Sequence, residues 1–305
     1  MGESFRVETE GKLDPDDAFT LLADETRLRI VRALGDAADP MGVEPIPFSE
    51  LRRRAGIEES GRFNYHLGEL VGHFVEQRDE GYRLRFPGVR VYQSMRAGTY
   101  TEDVTIPRFD LDAACHVCDG AMQGRYDNFI FKIDCPDCES DYYHRHLPPS
   151  SLAPESKTET LRIVDQRIRD HLSTLSNRIC PYCAGQMPPH LFELDEDHRY
   201  GGEEVNDVLA LQTCDHCGAF NYTRVGAHLL FEPAVVSFCY ERDVDLSERR
   251  VWAVEFVSSD NLTEVLEVGS EDDLEGWRVA VDVEAGGETL RVVVDGSLDV
   301  VEMES

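Results

Sequence analysis

A chain of 305 residues with 41% apolar side chains can bury several small cores, which excludes an intrinsically disordered protein and implies two or three domains. Its formal charge of -30, from 60 acidic against 30 basic residues, demands surroundings that offset self-repulsion. No run of ~18 apolar residues occurs, and the stretch MGESFRVETEGK lacks the apolar centre of a signal peptide, so a soluble, cytoplasmic protein with no membrane association is expected.

Residues 14–35 read as two helices, DPDDAFTLLAD and ETRLRIVRALG, with Leu28, Ile30, Val31 and Leu34 on an apolar face and Gly35 near the stop. After the Pro- and Gly-rich loop DPMGVEPIP, a short helix is expected from Ser49 to about Ala55, followed by a turn at Gly56. A longer helix opens near Ser60 and runs to about Phe74, because Phe63, Leu67, Leu70 and Phe74 recur at helical intervals. VEQRDEGYRLRF then reads as two strands about an Asp-Glu-Gly turn, and a further helix is expected from about Val89 to Tyr100. Helix, turn, helix, hairpin is the order of a winged helix-turn-helix, assigned to residues 1–104.

Behind it the chain divides into a zinc ribbon at 105–150, a linking helix at 151–178, a second ribbon at 179–227, and a C-terminal helix plus β-sheet at 228–305. The linking helix runs from about Glu159 to Ser176. Ser156 and Glu159 form a capping-box pattern, and Leu161, Val164, Ile168, Leu172 and Leu175 form the apolar face. PAVVSFCYER reads as a helix with Pro233 in its first turn, and WRVAVDV and ETLRVVVD as strands of a small antiparallel sheet. The expected fold class is α+β and multi-domain.

Eight of the nine cysteines fall into four C-x2-C pairs, a spacing that suits metal ligation in a reducing compartment; Cys239 stands alone in an apolar stretch and is assigned to a core. Cys115, Cys118, Cys135 and Cys138 form one set, and Cys180, Cys183, Cys214 and Cys217 repeat the scheme with a longer interval. Two cysteines three apart on a tight turn direct both sulfurs at one ion, and two such turns complete a tetrahedron. A small residue soon after each pair permits the turn. CHVCDGAM parallels CPYCAGQM, and CPDCESDYY parallels CDHCGAFNY, so the two sets read as a duplication with one Zn2+ each, two per chain. An interleaved pairing, competition from His116, His144 or His146, and iron in place of zinc remain alternatives at this stage. A closed four-thiolate site has no open position for substrate, which makes the metal structural.

The segment from Phe48 to Arg96 carries nine arginines against seven carboxylates, a formal +2, whereas residues 228–305 carry five arginines against 20 carboxylates, a formal -15. A non-acidic island in an acidic chain is the electrostatic footprint of a nucleic-acid partner, the alternative being accidental clustering. Phe63, Leu67 and Leu70 face inward by periodicity, leaving Arg62, Asn64 and Tyr65 outside; Arg62 suits guanine edges and Asn64 adenine edges. Arg52, Arg53 and Arg54, with Arg78, Arg83 and Arg85 in the hairpin, are candidate phosphate contacts, the alternative being salt bridges to the abundant carboxylates.

ADETRLRIVRAL, FSELRRRAGI, GRFNYHLGELVGHFV and the DEGYRLRF hairpin together resemble the ArsR-type winged-helix family of bacterial and archaeal repressors over residues 14–100. The resemblance implies that the helix holding Arg62 to Leu70 enters the major groove while the hairpin contacts the backbone. The family's metal-sensing positions correspond to SELRRRAG and RVYQSMRAGTY, which hold no Cys or His, so sensing at those sites is not expected. Only Lys12, Lys132 and Lys157 among the basic residues are lysines, and this Arg- and acid-rich composition resembles that of haloarchaeal proteins, whose molar salt shortens the Debye length to ~3 Å.

The expected function is a DNA-binding transcriptional regulator, a homodimer on symmetric operators of double-stranded DNA, with a further protein partner for the ribbons or the C-terminal sheet. The alternative is a general transcription-initiation component that joins a winged helix to a zinc ribbon and contacts RNA polymerase. No H-E-x-x-H, G-x-S-x-G or P-loop pattern occurs, so an enzyme is not expected.

Overall fold

A computed structural model describes residues 13–38, 44–152, 155–193, 208–259, 261–269 and 276–305. Their contacts divide the chain into two units, Met1–Glu102 and Asp103–Ser305. Among the described residues no helix is long and apolar enough to cross a membrane.

The first unit begins with α1 (Pro15–Leu22) and α2 (Glu25–Ala37), the latter capped by the Asp24 carboxylate, which accepts from the Arg27 N–H at 3.1 Å. Gly35 does not stop α2. Its missing Cβ instead admits the Tyr92 ring, which any side chain there would meet at 2.4 Å. Of the expected Pro/Gly loop, residues 39–43 lie outside the described residues. α3 (Phe48–Arg54) and α4 (Ser60–Leu70) follow, and then β1 (Val75–Arg78) pairs antiparallel with β2 (Gly81–Leu84) across Asp79 and Glu80. The α4 helix ends four residues before the predicted Phe74, because Gly72 adopts φ +88, yet Phe74 still closes the same core. α5 (Phe86–Arg96) starts earlier than predicted, with Pro87 in its first turn, and stops before Gly98 at φ +73. Ile30, Val31, Leu34, Leu51, Phe63, Leu67, Leu70 and Val75 form the buried core of this unit.

In the second unit β3 (Ile106–Ala114), β4 (Ala121–Asp127), β5 (Ile130–Asp134) and β6 (Asp141–His146) make an antiparallel sheet in sequence order. α6 (Lys157–Ser176) is capped by Ser156, whose hydroxyl accepts from the Glu159 N–H at 3.1 Å. The other half of the predicted capping box does not form, since Glu159 bonds Arg162 at 2.7 and 2.9 Å. Val164, Ile168, Leu172 and Leu175 are buried as the periodicity requires, and the polar Thr160 and Asp165 are buried beside them.

β7 (Pro189–Glu193), β8 (Val208–Thr213) and β9 (Phe220–Arg224) form a three-stranded antiparallel sheet. α7 (Pro233–Tyr240) is the predicted C-terminal helix, and a one-turn α8 (Glu255–Ser258) accompanies it. β10 (Thr263–Glu267), β11 (Arg278–Ala285), β12 (Glu288–Val294) and β13 (Val300–Glu304) close the chain as a meander. The architecture is mixed α+β with several small antiparallel sheets. One buried cluster joins Phe131 and Ile133, Val164 and Ile168, Val208, Trp252 and Val281, so segments that sequence divides into ribbon, helix and sheet share a single core. Cys239 lies in that core, 1% exposed.

Candidate metal centres and candidate nucleic-acid interface

Each C-x2-C pair occupies the end of a hairpin or an isolated bridge. The first lies between Ala114 and Ala121, the second between β5 and β6, the third inside the Ile179–Gln186 bridge, and the fourth between β8 and β9. All four turns share one hydrogen-bond pattern. The N–H groups of Cys115, Cys135, Cys180 and Cys214 donate to the carbonyls of Gly120, Ser140, Gly185 and Ala219 at 2.8 to 2.9 Å. Their carbonyls accept from Asp119, Glu139, Ala184 and Gly218 at 2.9 to 3.0 Å. Those four acceptor-facing residues all lie in the left-handed region, at φ 59, 62, 60 and 72.

The small residue that sequence reasoning placed soon after each pair stands at the left-handed position itself in two of the four turns, at Ala184 and Gly218. Only Gly218 meets the left-handed requirement without strain, whereas Gly120 and Gly185 answer a different demand. A Cβ at Gly120 would lie 3.2 Å from the Cys118 sulfur, and one at Gly185 would press on the sulfurs of Cys183 and Cys214 at 3.2 and 3.3 Å. Ala184→Gly is therefore expected to stabilise the second unit and Gly218→Ala to destabilise it, each by about 1 kcal/mol. Thermal melts of the two variants check the opposite signs.

The turns bring Cys115, Cys118, Cys135 and Cys138 together, and separately Cys180, Cys183, Cys214 and Cys217, with the sulfurs of each set within 4.8 Å of one another. Pairing is thus local, not interleaved. Sulfur separations of 3.5 to 3.6 Å across each set exceed the ~2.05 Å of a disulfide. They approach the roughly 3.8 Å spacing imposed by four metal–sulfur bonds of ~2.3 Å in a tetrahedron. The first sulfur of each pair is buried and the second lies nearer the surface. Burial opposes ionisation of Cys115, but the Tyr142 hydroxyl and the N–H groups of Cys118 and Val117 bring it down to about 7. Against a stabilising N–H from Gly120, Cys135 and Cys138 push Cys118 up to about 12. The second set repeats this division. N–H groups of Cys217 and His216 lower Cys214 to about 7 against burial. Cys183 rises to about 12, the Gly185 N–H being outweighed by burial and the other sulfurs. Four crowded thiols cannot all ionise unaided, and a divalent cation removes that conflict, so the donor set fits one metal ion per site.

Tyr142, which sequence reasoning did not single out, supports the first set: its hydroxyl accepts from the His116 N–H at 2.8 Å and lies 3.1 Å from the Cys115 sulfur. The duplication hides it, because the equivalent position holds Asn221. The histidines considered as ligands lie elsewhere. The ring of His116 faces the Trp252 carbonyl at 3.2 Å, His144 faces Asp141 at 3.5 Å, and His146 is exposed on β6.

In the first unit Phe63, Leu67 and Leu70 are buried, while Arg62, Asn64 and Tyr65 are exposed, Tyr65 opposite the buried stripe and the other two on its flanks. Arg62 donates to the Thr26 hydroxyl at 3.0 Å. Several arginines already hold acceptors: Arg53 and Arg54 bind Glu50 at 2.6 and 2.7 Å, and Arg78 and Arg83 bind Glu76 at 2.6 and 2.7 Å. Hydrogen bonds from Arg53 and Arg54 hold Glu50 down at about 2. Arg52 donates to the Glu58 carbonyl at 3.2 Å. The Arg85 side chain is exposed with no partner among the described residues.

Residues 112–300 match a family described as a domain of unknown function, DUF7351, and residues 15–95 match a second domain of unknown function, DUF7347. The first match takes in both four-cysteine sets, and the second takes in α1 to β2 with nearly all of α5. No curated protein matches the chain.

Proposed function

The chain belongs to the DUF7351 family, and we propose that it serves as a DNA-binding transcriptional regulator in which the first unit is a winged helix that reads DNA and the second is built on two structural zinc ions. The observation that carries this reading is the solvent side of α4, where Tyr65 is exposed opposite a buried Phe63–Leu67–Leu70 stripe and Arg62 and Asn64 are exposed on its two flanks. A helix so mounted offers side chains capable of bidentate contact with base edges, while the β1–β2 hairpin offers Arg85 and the Glu76-bound Arg78 and Arg83 to phosphates. Zinc is the metal of choice because the sites offer four sulfurs and no open position, which suits a tetrahedral ion that supplies folding energy. At the molar salt that the composition favours, counterion release contributes less, and base contacts carry more of the affinity.

Arg62→Ala and Asn64→Ala are expected to relax sequence choice, at ~1 to 3 kcal/mol for each lost bidentate contact. Arg85→Ala should weaken all duplexes alike. Binding of the purified chain across a panel of duplexes at molar salt separates the two behaviours. If the α4 and hairpin variants respond identically, the docking is wrong, and sequence-blind binding with capture of RNA polymerase would favour the initiation-component reading.

A further inference from the structure

Strands β6 and β9 hold equivalent places in the duplication, and ten residues after Cys135 and Cys214 stand Arg145 and Arg224. The fold treats the two arginines differently. Arg224 donates to the Asp141 carbonyl at 3.1 Å. Arg145 is half-buried, and its side chain makes no hydrogen bond or ion pair among the described residues.

Arg145 interacts electrostatically with Tyr143 on the same strand, with Tyr182 in the third cysteine turn and with His171 on α6, one turn from Arg167. The Tyr182 ring centre lies 5.9 Å from that of His171. The charges of Arg145 and Arg167 both act on Tyr143 and His171, and no carboxylate does. The mostly exposed Arg167 pairs with Asp170 at the loose distance of 3.9 Å, and Asp170 also accepts from the Gln166 amide at 2.8 Å. His171 meets the Asn221 carbonyl oxygen at 2.7 Å. The Asn221 side chain is 1% exposed, and its amide nitrogen is buried without a partner.

A guanidinium does not shed its proton, so desolvating it without a counter-ion is unfavourable. Here that happens in a chain with 60 acidic residues, and none of those among the described residues pairs with Arg145. Burial and the two neighbouring guanidinium groups hold His171 down at about 4. We propose that Arg145, Arg167 and the Asn221 amide form a binding site for a phosphate-class oxyanion, flanked by the rings of Tyr143 and Tyr182. A tetrahedral oxyanion accepts from several convergent donors at once and matches the guanidinium fork. The same chemistry is offered by inorganic phosphate and by a nucleoside monophosphate, whose base the two tyrosine rings can accompany. The site lies wholly in the second unit and is independent of the DNA reading.

The test is calorimetric titration of the full-length, metal-loaded chain with inorganic phosphate and with adenosine monophosphate, in molar potassium chloride. One ion per chain is expected, with Arg145→Gln weakening it about 10- to 100-fold, the loss of a charge-assisted bond. Arg162→Gln, on the exposed side of α6, should leave binding unchanged. Tighter binding of the monophosphate identifies a nucleotide as the source, and equal or weaker binding identifies free phosphate; both uphold the site. Should Arg145→Gln fail to fold, as circular dichroism would show, Arg167→Gln carries the comparison with an expected weakening of roughly tenfold. Absence of binding by both probes, equal affinity in wild type and folded Arg145→Gln, or competition by chloride that marks an adventitious ion only would each overturn the proposal.

Discussion

Cys135→Ser is expected to lose one of two metal ions and to unfold the sheet that carries it. A closed tetrathiolate contributes its binding free energy to folding, on the order of 10 kcal/mol or more, which rivals the whole stability of a typical domain. The loss should not stop at the cysteine turn. Cys115 and Cys135 are each 1% exposed and belong to the same buried cluster as Val164, Trp252 and Val281, so the damage spreads through the second unit. The first unit has a separate core around Phe63 and Leu67 and should persist. Elemental analysis, circular dichroism and limited proteolysis check all three statements, and a chelator should reproduce the loss at both sites. Retention of two ions with native protease resistance in Cys135→Ser would refute the ligand assignment.

Asp165→Ala should be the most damaging single change away from the cysteines. This carboxylate, 7% exposed on α6, accepts from the Val251 N–H at 2.7 Å and from Arg169 at 3.1 Å, with Arg250 at 3.7 Å. Arg169 in turn donates to the carbonyls of Leu246 and Arg249. Asp165 therefore fixes the segment between α7 and α8 onto α6. Its removal leaves a buried N–H unpaired and the Arg169 side chain, 13% exposed, without its carboxylate. Breaking one side of a buried pair in this way costs about 3 to 5 kcal/mol. For a unit of this size that corresponds to a melting shift of roughly 6 to 20 °C. Asp165→Asn keeps an acceptor for Val251 and should lose less. A shift below ~2 °C for Asp165→Ala would show that the segment is held by packing alone.

The cysteine sets were legible in the sequence because a C-x2-C turn is decided within about six residues. The same holds for the stripe on α4 and for Val164, Ile168, Leu172 and Leu175 on α6, since helical periodicity is a local property. Helix ends were legible only in part. The stripe predicted Phe74 as helical because burial and helicity coincide up to Leu70 and separate after Gly72.

Charge partners were decided by the tertiary structure. Spacing left the hairpin arginines open between phosphate and carboxylate, and Glu76 takes Arg78 and Arg83 because the strand pairing sets it opposite Arg83. Asp165 meets Val251 from 86 positions away, a contact no local pattern announces. The same limit hid the difference between Arg145 and Arg224. Their sequence positions are equivalent, and only the tertiary structure leaves the Arg145 side chain without a hydrogen bond or ion pair among the described residues while Arg224 reaches the Asp141 carbonyl. Sequence determined the cysteine pairs and apolar stripes, because backbone turns and helical repeats act over a few residues. Tertiary structure decided which buried charges are satisfied, because that depends on groups brought together from distant parts of the chain.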